Sequence, residues 1–278
     1  MMKINSYAKI NLSLDVLDLR EDGYHNIDTI MNLIDLHDVI EINRNNTNEL
    51  KLSSNNSNFP TDKTNLIYKI FENLKKFRKI NCSYDVFVDK QIPISAGLAG
   101  GSSNACEFLM YVNDDLSLNL SNQEIKEICR LTGADTFYFT SKKCVRATGI
   151  GNEFVRLSDF SNKNIIIVNN GMSISSKDVY DNLKESNGGL GKITVAIDSR
   201  DYETFYRKAF NTMESVSERL VEEISDIKEQ LNNLGCDLSL MSGSGPTVFG
   251  IFENYNDYEN CYSKLKDKYK YVFKTKTL

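Results

Sequence analysis

The stretch Pro93-Ile-Ser-Ala-Gly-Leu-Ala-Gly-Gly-Ser-Ser-Asn-Ala105 collects glycines, alanines and hydroxyls with no bulky side chain near its centre. Glycine lets backbone N–H groups approach an anion without a Cβ in the way. A helix starting at the end of such a stretch adds unpaired donors and about half a positive charge from its dipole. The chemistry this favours is phosphate binding. A tight turn whose glycines serve only close packing has the same composition. No Gly-Lys-Ser/Thr follows the glycines and no dinucleotide fingerprint with its downstream acid is present, so neither common phosphate motif applies. A second small-residue segment, Ser242-Gly-Ser-Gly-Pro246, reads equally as a hairpin turn or as a place where backbone meets a ligand.

These segments need elements to hold them. Tyr84-Asp-Val-Phe-Val88 alternates as a half-buried strand, and Asn104-Ala-Cys-Glu-Phe-Leu-Met-Tyr-Val112 suits a packed helix, so strand, glycine loop and helix follow in order. Strand patterns cover 3–17, 27–36 and 39–43, with a turn-rich Asp18-Leu-Arg-Glu-Asp-Gly-Tyr-His25 between the first two. The asparagine-rich 43–58 suggests a surface hairpin with loops. Leu66, Ile67, Ile70, Phe71, Leu74 and Phe77 predict a helix with Thr64 as N-cap, and Ser121-Asn-Gln-Glu124 is a capping box. Strands are expected at 144–148, 153–157 and 165–168. Beyond a boundary near Leu157 come helices at 176–183, 202–213 and 215–234, strands at 237–241 and 247–252, a helix at 255–269 and a strand at 271–276. This predicts an α+β protein of two domains, 1–157 and 158–278.

Composition narrows the class of partner. The 278 residues carry a net charge of −5 and a sequence pI of about 5.3, which gives no broad electrostatic footprint for nucleic acid or an anionic membrane. No run approaches the roughly 18 apolar residues of a membrane span, and Met1-Met-Lys-Ile-Asn-Ser6 has no signal-peptide pattern. Cys82, Cys106, Cys129, Cys144, Cys236 and Cys261 show no metal-ligand spacing, which points to thiols in a reducing compartment and a cytoplasmic location. No metal-ligand set is expected from protein residues alone.

Ala8-Lys-Ile-Asn-Leu12, the central glycine–serine loop and Ser242-Gly-Ser-Gly-Pro246 together resemble the three motifs of the galactokinase, homoserine kinase, mevalonate kinase and phosphomevalonate kinase superfamily. Their order and spacing match over nearly the whole chain. Asp22-Gly-Tyr-His25, Gly133-Ala-Asp135 and Gly149-Ile-Gly151 are similar to the branch that acts on a cytidine-diphosphate-linked methylerythritol. The resemblance implies ATP-dependent phosphorylation of the acceptor's 2-hydroxyl, a step of the non-mevalonate route to isoprenoid precursors. It also implies an N-terminal β/α domain like ribosomal protein S5, a C-terminal ferredoxin-like α/β domain, and a site in the cleft between them.

By the same resemblance Asp135 is the general base and Lys9 orients it and favours a developing alkoxide. Read alone, Lys9 is a solvated strand lysine and Asp135 a cap after Gly133. Asn11, two residues beyond Lys9, shares its strand face. Pro93, Ile94, Ser95, Ala96, Gly97, Leu98, Ala99, Gly100, Gly101, Ser102 and Ser103 would wrap the triphosphate of ATP, with Ser102 and Ser103 offering hydroxyls to phosphate or Mg2+. Asn65 and Lys90 match positions around adenine and ribose, though each also reads as an ordinary helix-start or strand-end residue. Tyr24, His25 and Tyr180 would grip cytosine and Ile150 would wall the acceptor, though read alone the three rings are packing or surface residues and Gly149-Ile-Gly151 is a simple β-turn. Ser95, Phe137 and Ser176 depart from the residues common in relatives, and Phe137 stands where proline is frequent after Gly-Ala-Asp-X.

Two rival readings stay open. Another kinase of the superfamily, acting on mevalonate, homoserine or a sugar, would share both glycine loops, and Asp22-Gly-Tyr-His25 is the discriminator. A non-catalytic ligand sensor could keep the ATP fold, but Lys9 and Asp135 are both retained.

Overall fold

The computed structural model describes residues 1–47, 49–183 and 186–278; residue 48 of the asparagine-rich segment lies outside them. In chain order the elements are β1 (Met2–Leu19), β2 (His25–Asn45), β3 (Lys51–Ser54), α1 (Leu66–Phe77), β4 (Ser83–Asp89), α2 (Gly100–Asp115) and α3 (Asn122–Thr132). A 3-10 turn at Thr136–Thr140 precedes β5 (Val145–Thr148), β6 (Glu153–Arg156), β7 (Asn164–Asn169), α4 (Ser176–Asp181), α5 (Gly191–Asp198) and α6 (Tyr202–Lys208). Then follow α7 (Glu214–Leu220), α8 (Glu223–Asn233), β8 (Leu238–Met241), β9 (Val248–Phe252), α9 (Tyr255–Leu265) and β10 (Tyr271–Lys276). Among the described residues no helix is long and apolar enough to cross a membrane.

Contacts divide the chain into two compact units whose segments interleave in sequence. The first comprises Met1–Ala8, His37–Ile94 and Ala99–Lys142, the second Lys9–Leu36, Ser95–Leu98 and Lys143–Leu278. In the first unit β4 pairs antiparallel with the later half of β2, from Val39↔Asp89 to Asn45↔Ser83, and parallel with β3. The hairpin expected at 43–58 does not form, because β3 pairs with β4, which lies between it and β2. The core of this unit joins Ile40, Ile42, Val86 and Val88 to apolar faces of α1, α2 and α3. Phe71, Tyr84 and Phe108 meet edge-to-face with centroids 5.6 to 5.9 Å apart, a geometry that favours aromatic pairs. The Tyr84 hydroxyl donates to Asp115 at 2.8 Å, which ties the end of α2 to β4; burial first, and then Asp115, push the Tyr84 phenol well up.

The predicted α1 is present, but its N-cap is Asn65, not Thr64. Asn65 Oδ1 accepts from the Ile67 N–H at 2.8 Å, whereas the Thr64 hydroxyl turns back to Asp62. Either residue type caps well, so spacing alone did not separate neighbours. The capping box of α3 forms as its sequence predicts.

The second unit pairs the early part of β2 with β5, and β5 with β6, all antiparallel. Its other sheet is antiparallel in the order β10-β7-β9-β8 and packs apolar residues of α7, α8 and α9 around Ile166, Val168, Val248 and Phe252. The single helix expected over 215–234 is two helices. Val221 breaks it with an extended backbone, φ −140° and ψ 94°, and is itself buried in this core. The helix expected to reach 213 stops at Lys208, and beyond it the Leu14 N–H donates to Phe210 O while the Thr212 N–H donates to Leu14 O, an isolated parallel bridge between Leu14 and Asn211. Helix α5 was not anticipated, and the two strands expected at 27–36 and 39–43 are one continuous β2.

Candidate active site

Helix α2 begins directly after the glycine loop. Ala99 precedes it in the left-handed region at φ 53°, and no side chain caps the helix. Side-chain caps normally satisfy such N–H groups, so an uncapped start facing a bulk-free loop suits an anion. Ser95, one of the departures from the family pattern, is also left-handed at φ 54°, a conformation glycine adopts without strain. Ser102 is half-buried, and its hydroxyl lies 3.8 Å from where a Cβ on Gly133 would stand. The structure thus brings the start of α2 next to the Gly133-Ala-Asp135 segment. Asp135 opens the 3-10 turn, with Tyr138 N–H bonded to its carbonyl, and its carboxylate makes no capping bond there.

The other nucleotide-side residues of the first unit are less exposed than their sequence reading implied. Ser103 is 1% exposed and its hydroxyl accepts from Ser6 at 2.7 Å. Lys90 is buried, and its ammonium donates to Asp38 at 2.7 Å and to the Ile92 carbonyl at 2.6 Å. Burial pulls the Lys90 pKa down, and Asp38 opposes that shift. Asn65 uses its amide as a cap and as a donor to Pro60 O at 2.6 Å. Gly100 is tightly packed, since a Cβ there would lie 3.0 Å from both Ile92 Cγ2 and Lys90 Nζ.

In the second unit Lys9 and Asn11 share a face of β1 as alternation requires, and both are buried, so the solvated-lysine reading fails. Lys9 Nζ donates to Asn11 Oδ1 at 2.5 Å. Asn11 donates to Thr29 at 2.8 Å, and Thr29 in turn donates to Ser13 O at 2.9 Å. The Asn11 N–H reaches Ser242 Oγ at 3.2 Å, which links β1 to the segment Ser242-Gly-Ser-Gly-Pro246. That segment turns β8 into β9, with Ser242 N–H on Thr247 O and a cis Gly245–Pro246 peptide. It is also a contact surface, because Ser242 donates to Gly97 O at 3.0 Å.

Side chains that sequence reasoning missed fix this turn. Asn211 donates to Met241 O and Gly243 O, both at 2.8 Å, and Ser217 donates to Ser244 O at 3.1 Å. Ser176, where relatives often have threonine, shares a hydroxyl bond with Ser244 at 2.7 Å. A lone asparagine far from any motif carries no sequence signal for such a role.

Of the residues predicted to take the acceptor, His25 and Tyr180 come together. Their rings stack with centroids 5.3 Å apart and 20° between planes. Tyr24, next to His25 in the chain, is exposed. Ile150 sits in the turn between β5 and β6, flanked by Gly149 at φ 66° and Gly151 at φ 90°, and Gly149 O accepts from Ile27 N–H at 2.7 Å. Three residues after His25, buried Asp28 takes both Arg146 nitrogens at 2.7 and 2.8 Å and the Leu190 N–H at 2.8 Å. Buried Asp15 takes the Gly189 N–H at 2.8 Å, so two carboxylates anchor the chain that follows α4.

Residues 65–143 match the GHMP kinases N terminal domain and residues 193–270 match GHMP kinases C terminal. The 4-diphosphocytidyl-2-C-methyl-D-erythritol kinase of Clostridium beijerinckii is 38% identical over 281 aligned residues, covering 100% of both chains. A crystal structure of a 4-(cytidine 5'-diphospho)-2C-methyl-D-erythritol kinase shares the fold with a TM-score of 0.83 at 23% identity, covering 99% of each chain. The homoserine kinase of Cytophaga hutchinsonii does so with a TM-score of 0.77 at 14% identity, covering 100% of this chain and 94% of that one. The fold is accordingly the two-domain α+β fold of GHMP kinases, and the chain belongs to the 4-diphosphocytidyl-2-C-methyl-D-erythritol kinase family of these ATP-dependent small-molecule kinases.

Proposed function

We propose that the chain transfers the γ-phosphoryl group of ATP to the 2-hydroxyl of 4-diphosphocytidyl-2-C-methyl-D-erythritol, in the non-mevalonate route to isoprenoid precursors. The full-length likeness to curated kinases of that name carries the reading. The buried Lys9–Asn11 pair, the uncapped start of α2 and the stacked His25–Tyr180 pair support it. Residues 1–157 then form the N-terminal domain and 158–278 the C-terminal one, a division supported by the two matched segments falling on either side of Leu157. A cytoplasmic setting is part of the same reading, supported by six cysteines without a framework spacing.

In the proposed reaction the acceptor oxygen forms a bond to the γ-phosphorus, the bond to the β–γ bridging oxygen breaks, and ADP leaves. Asp135 takes the hydroxyl proton and Lys9, held by Asn11, favours the developing alkoxide. Phosphoryl transfer asks mainly for positioning and charge neutralisation, which residues 93–103 provide through backbone donors. Ser102 is the hydroxyl of that loop best placed to reach phosphate, since Ser103 is buried on Ser6. Asn65 and Lys90 border the nucleotide, with Lys90 acting through the segment its ammonium holds. Tyr24, His25, Tyr180 and Ile150 receive the cytidine end.

Mg2+ belongs to this proposal as the partner of ATP, where it neutralises phosphate charge. Among the described residues no group of three His, Cys, Asp or Glu side chains could hold a metal. Mg2+ bound to ATP takes most of its ligands from phosphates and water, so the hydroxyl of Ser102 is a fitting protein share.

The test is ADP release across the cytidine-linked acceptor, free methylerythritol phosphate, mevalonate and homoserine. Only the first should support rapid turnover. Faster turnover of mevalonate or homoserine would move the chain to another branch of the superfamily, and no ADP with any acceptor would favour the ligand-sensor reading.

A further inference from the structure

We propose that Asp38 is a positioning residue for the nucleotide loop, a buried carboxylate that sets residues 90–92 and the first turns of α2 in fixed register. The inference rests on the reading of residues 93–103 as the ATP site.

Asp38 lies in the later half of β2, has no exposed surface and receives four hydrogen bonds. Oδ1 accepts from the N–H groups of Gln91 and Ile92, both at 2.8 Å. Oδ2 accepts from Lys90 Nζ at 2.7 Å and from Asn104 Nδ2 at 3.0 Å. Two carboxylate oxygens offer about four acceptor sites, so this set saturates the group. One side chain therefore grips both the strand exit that leads into the loop and the helix that leaves it.

The packing above this hub shows what it supports. Lys90 Nζ and Ile92 lie where a Cβ on Gly100 would touch them, so they form the floor beneath the first residue of α2. Asn104, one turn into that helix, also donates to Ser6 at 2.9 Å, and Ser6 donates to Ser103. The Asn104 oxygen, by contrast, is buried with no hydrogen-bond partner among the described residues, so its amide group is oriented by the donor side alone. The bonds that Asn104 donates to Asp38 and Ser6 thus help fix where the N–H groups of residues 100–102 point; the Ser103 N–H is bonded to Ala99 O. Asp38 and Lys90 form an ion pair at 2.7 Å, so together they add no net charge beside the loop. A displaced helix start loses its aim at a phosphate, since its unpaired N–H groups and dipole act only within the first turn.

The test compares wild type, Asp38→Asn, Asn104→Ala and Asp38→Asn/Lys90→Met. Asp38→Asn should raise the Kd for Mg2+ and a non-hydrolysable ATP analogue by roughly 5-fold to 150-fold, with the acceptor KM at saturating ATP within about twofold. Asn104→Ala should show the same split to a smaller extent. The double variant, which no longer strands a buried ammonium, should regain melting temperature and still bind the analogue weakly. Unchanged analogue affinity in folded Asp38→Asn overturns the inference, as does a fall in both affinities that tracks thermal stability and recovers in the double variant. If Asp38→Asn does not fold, Asn104→Ala decides by the same criterion. Amide exchange of the wild type separates this from failure of the underlying reading. A loop at 95–103 left unprotected by the analogue sinks both, whereas a protected loop with normal affinity in the variants sinks the positioning role alone.

Discussion

Gly97 and Ser242 meet backbone to backbone: a Cβ on Gly97 would lie 2.1 Å from the Ser242 carbonyl oxygen, while the Ser242 hydroxyl donates to Gly97 O at 3.0 Å. The two small-residue segments, 145 positions apart, are thus one construction. Gly97 is also at φ 78°, so alanine there meets both backbone strain and a backbone atom that cannot swing aside. Gly97→Ala should lower unfolding free energy by about 1–3 kcal/mol, read by urea denaturation. Wild-type stability in that variant would show that the contact is absent in solution.

Gly100 and Gly101 are adjacent in the chain, yet they make different demands. A side chain at Gly100 runs into Lys90 and Ile92, whereas one at Gly101 meets only Leu66 Cδ1 at 3.7 Å, an ordinary contact. Gly100→Val should therefore destabilise the ligand-free protein by about 1–3 kcal/mol, so its ATP affinity confounds packing with binding. Gly101→Ala should leave stability unchanged or raise it by about 0.5–1 kcal/mol, since glycine costs that much within a helix. Calorimetry on Gly101→Ala then reports the phosphate contact itself. Undiminished ATP affinity in that variant would mean that the backbone at 101 does not face phosphate.

Lys9→Met and Asp135→Asn should each lower kcat by about 10²–10⁴ if they serve charge stabilisation and proton transfer, with a smaller change in ATP affinity. Lys9→Met also strands a buried acceptor on Asn11, at a cost of about 1–3 kcal/mol in stability. Melting curves recorded alongside the kinetics separate the two effects. Retained kcat in both folded variants would leave these residues as scaffold.

How much of this was legible in the sequence differs by residue. Alternation placed Lys9 and Asn11 on one strand face, and the capping box of α3 and the strand at 271–276 followed from local pattern. Asp38 and Asn211 were invisible, because a single polar residue in an apolar strand or loop gains meaning only from partners dozens of positions away. Val221 interrupts a helical pattern with no glycine or proline to announce it; its burial in the core won over local propensity. The α+β class came from periodicity, while the particular fold came from motif resemblance, since spacing alone does not choose among two-domain arrangements.

Acid should loosen the first turn of α3 in a defined window. Arg78 is the first cause that holds the Glu124 carboxyl down at about 2, from an ordinary 4.5, and Ser121 adds to it through the capping box. A carboxyl whose folded pKa is depressed contributes stability above its unfolded pKa and loses it as pH falls toward the folded one. The melting-temperature gap between wild type and Glu124→Gln should be full above about pH 4.5 and close toward pH 2. A gap that does not change across this range would mean that the contribution is not ionic.

The last prediction concerns the stacked rings. His25 and Tyr180 are 5.3 Å apart between centroids, too close to admit a base between them, since intercalation needs about 7 Å or two stacking distances. A cytosine must then extend the stack on an outer face or meet a ring edge, and each ring supports the other's orientation. If these rings receive the cytidine end as proposed, their contacts are made about equally in ground and transition states, so His25→Ala and Tyr180→Ala should chiefly raise acceptor KM. Loss of one stack costs about 1–3 kcal/mol, or roughly 5-fold to 150-fold in affinity, and ATP KM should barely move. Because both rings belong to one stack, the double variant should lose less than the sum of the single losses. Fully additive losses would mean that the rings act on separate parts of the acceptor, and a normal acceptor KM with a raised ATP KM in Tyr180→Ala would assign this stack to the nucleotide instead.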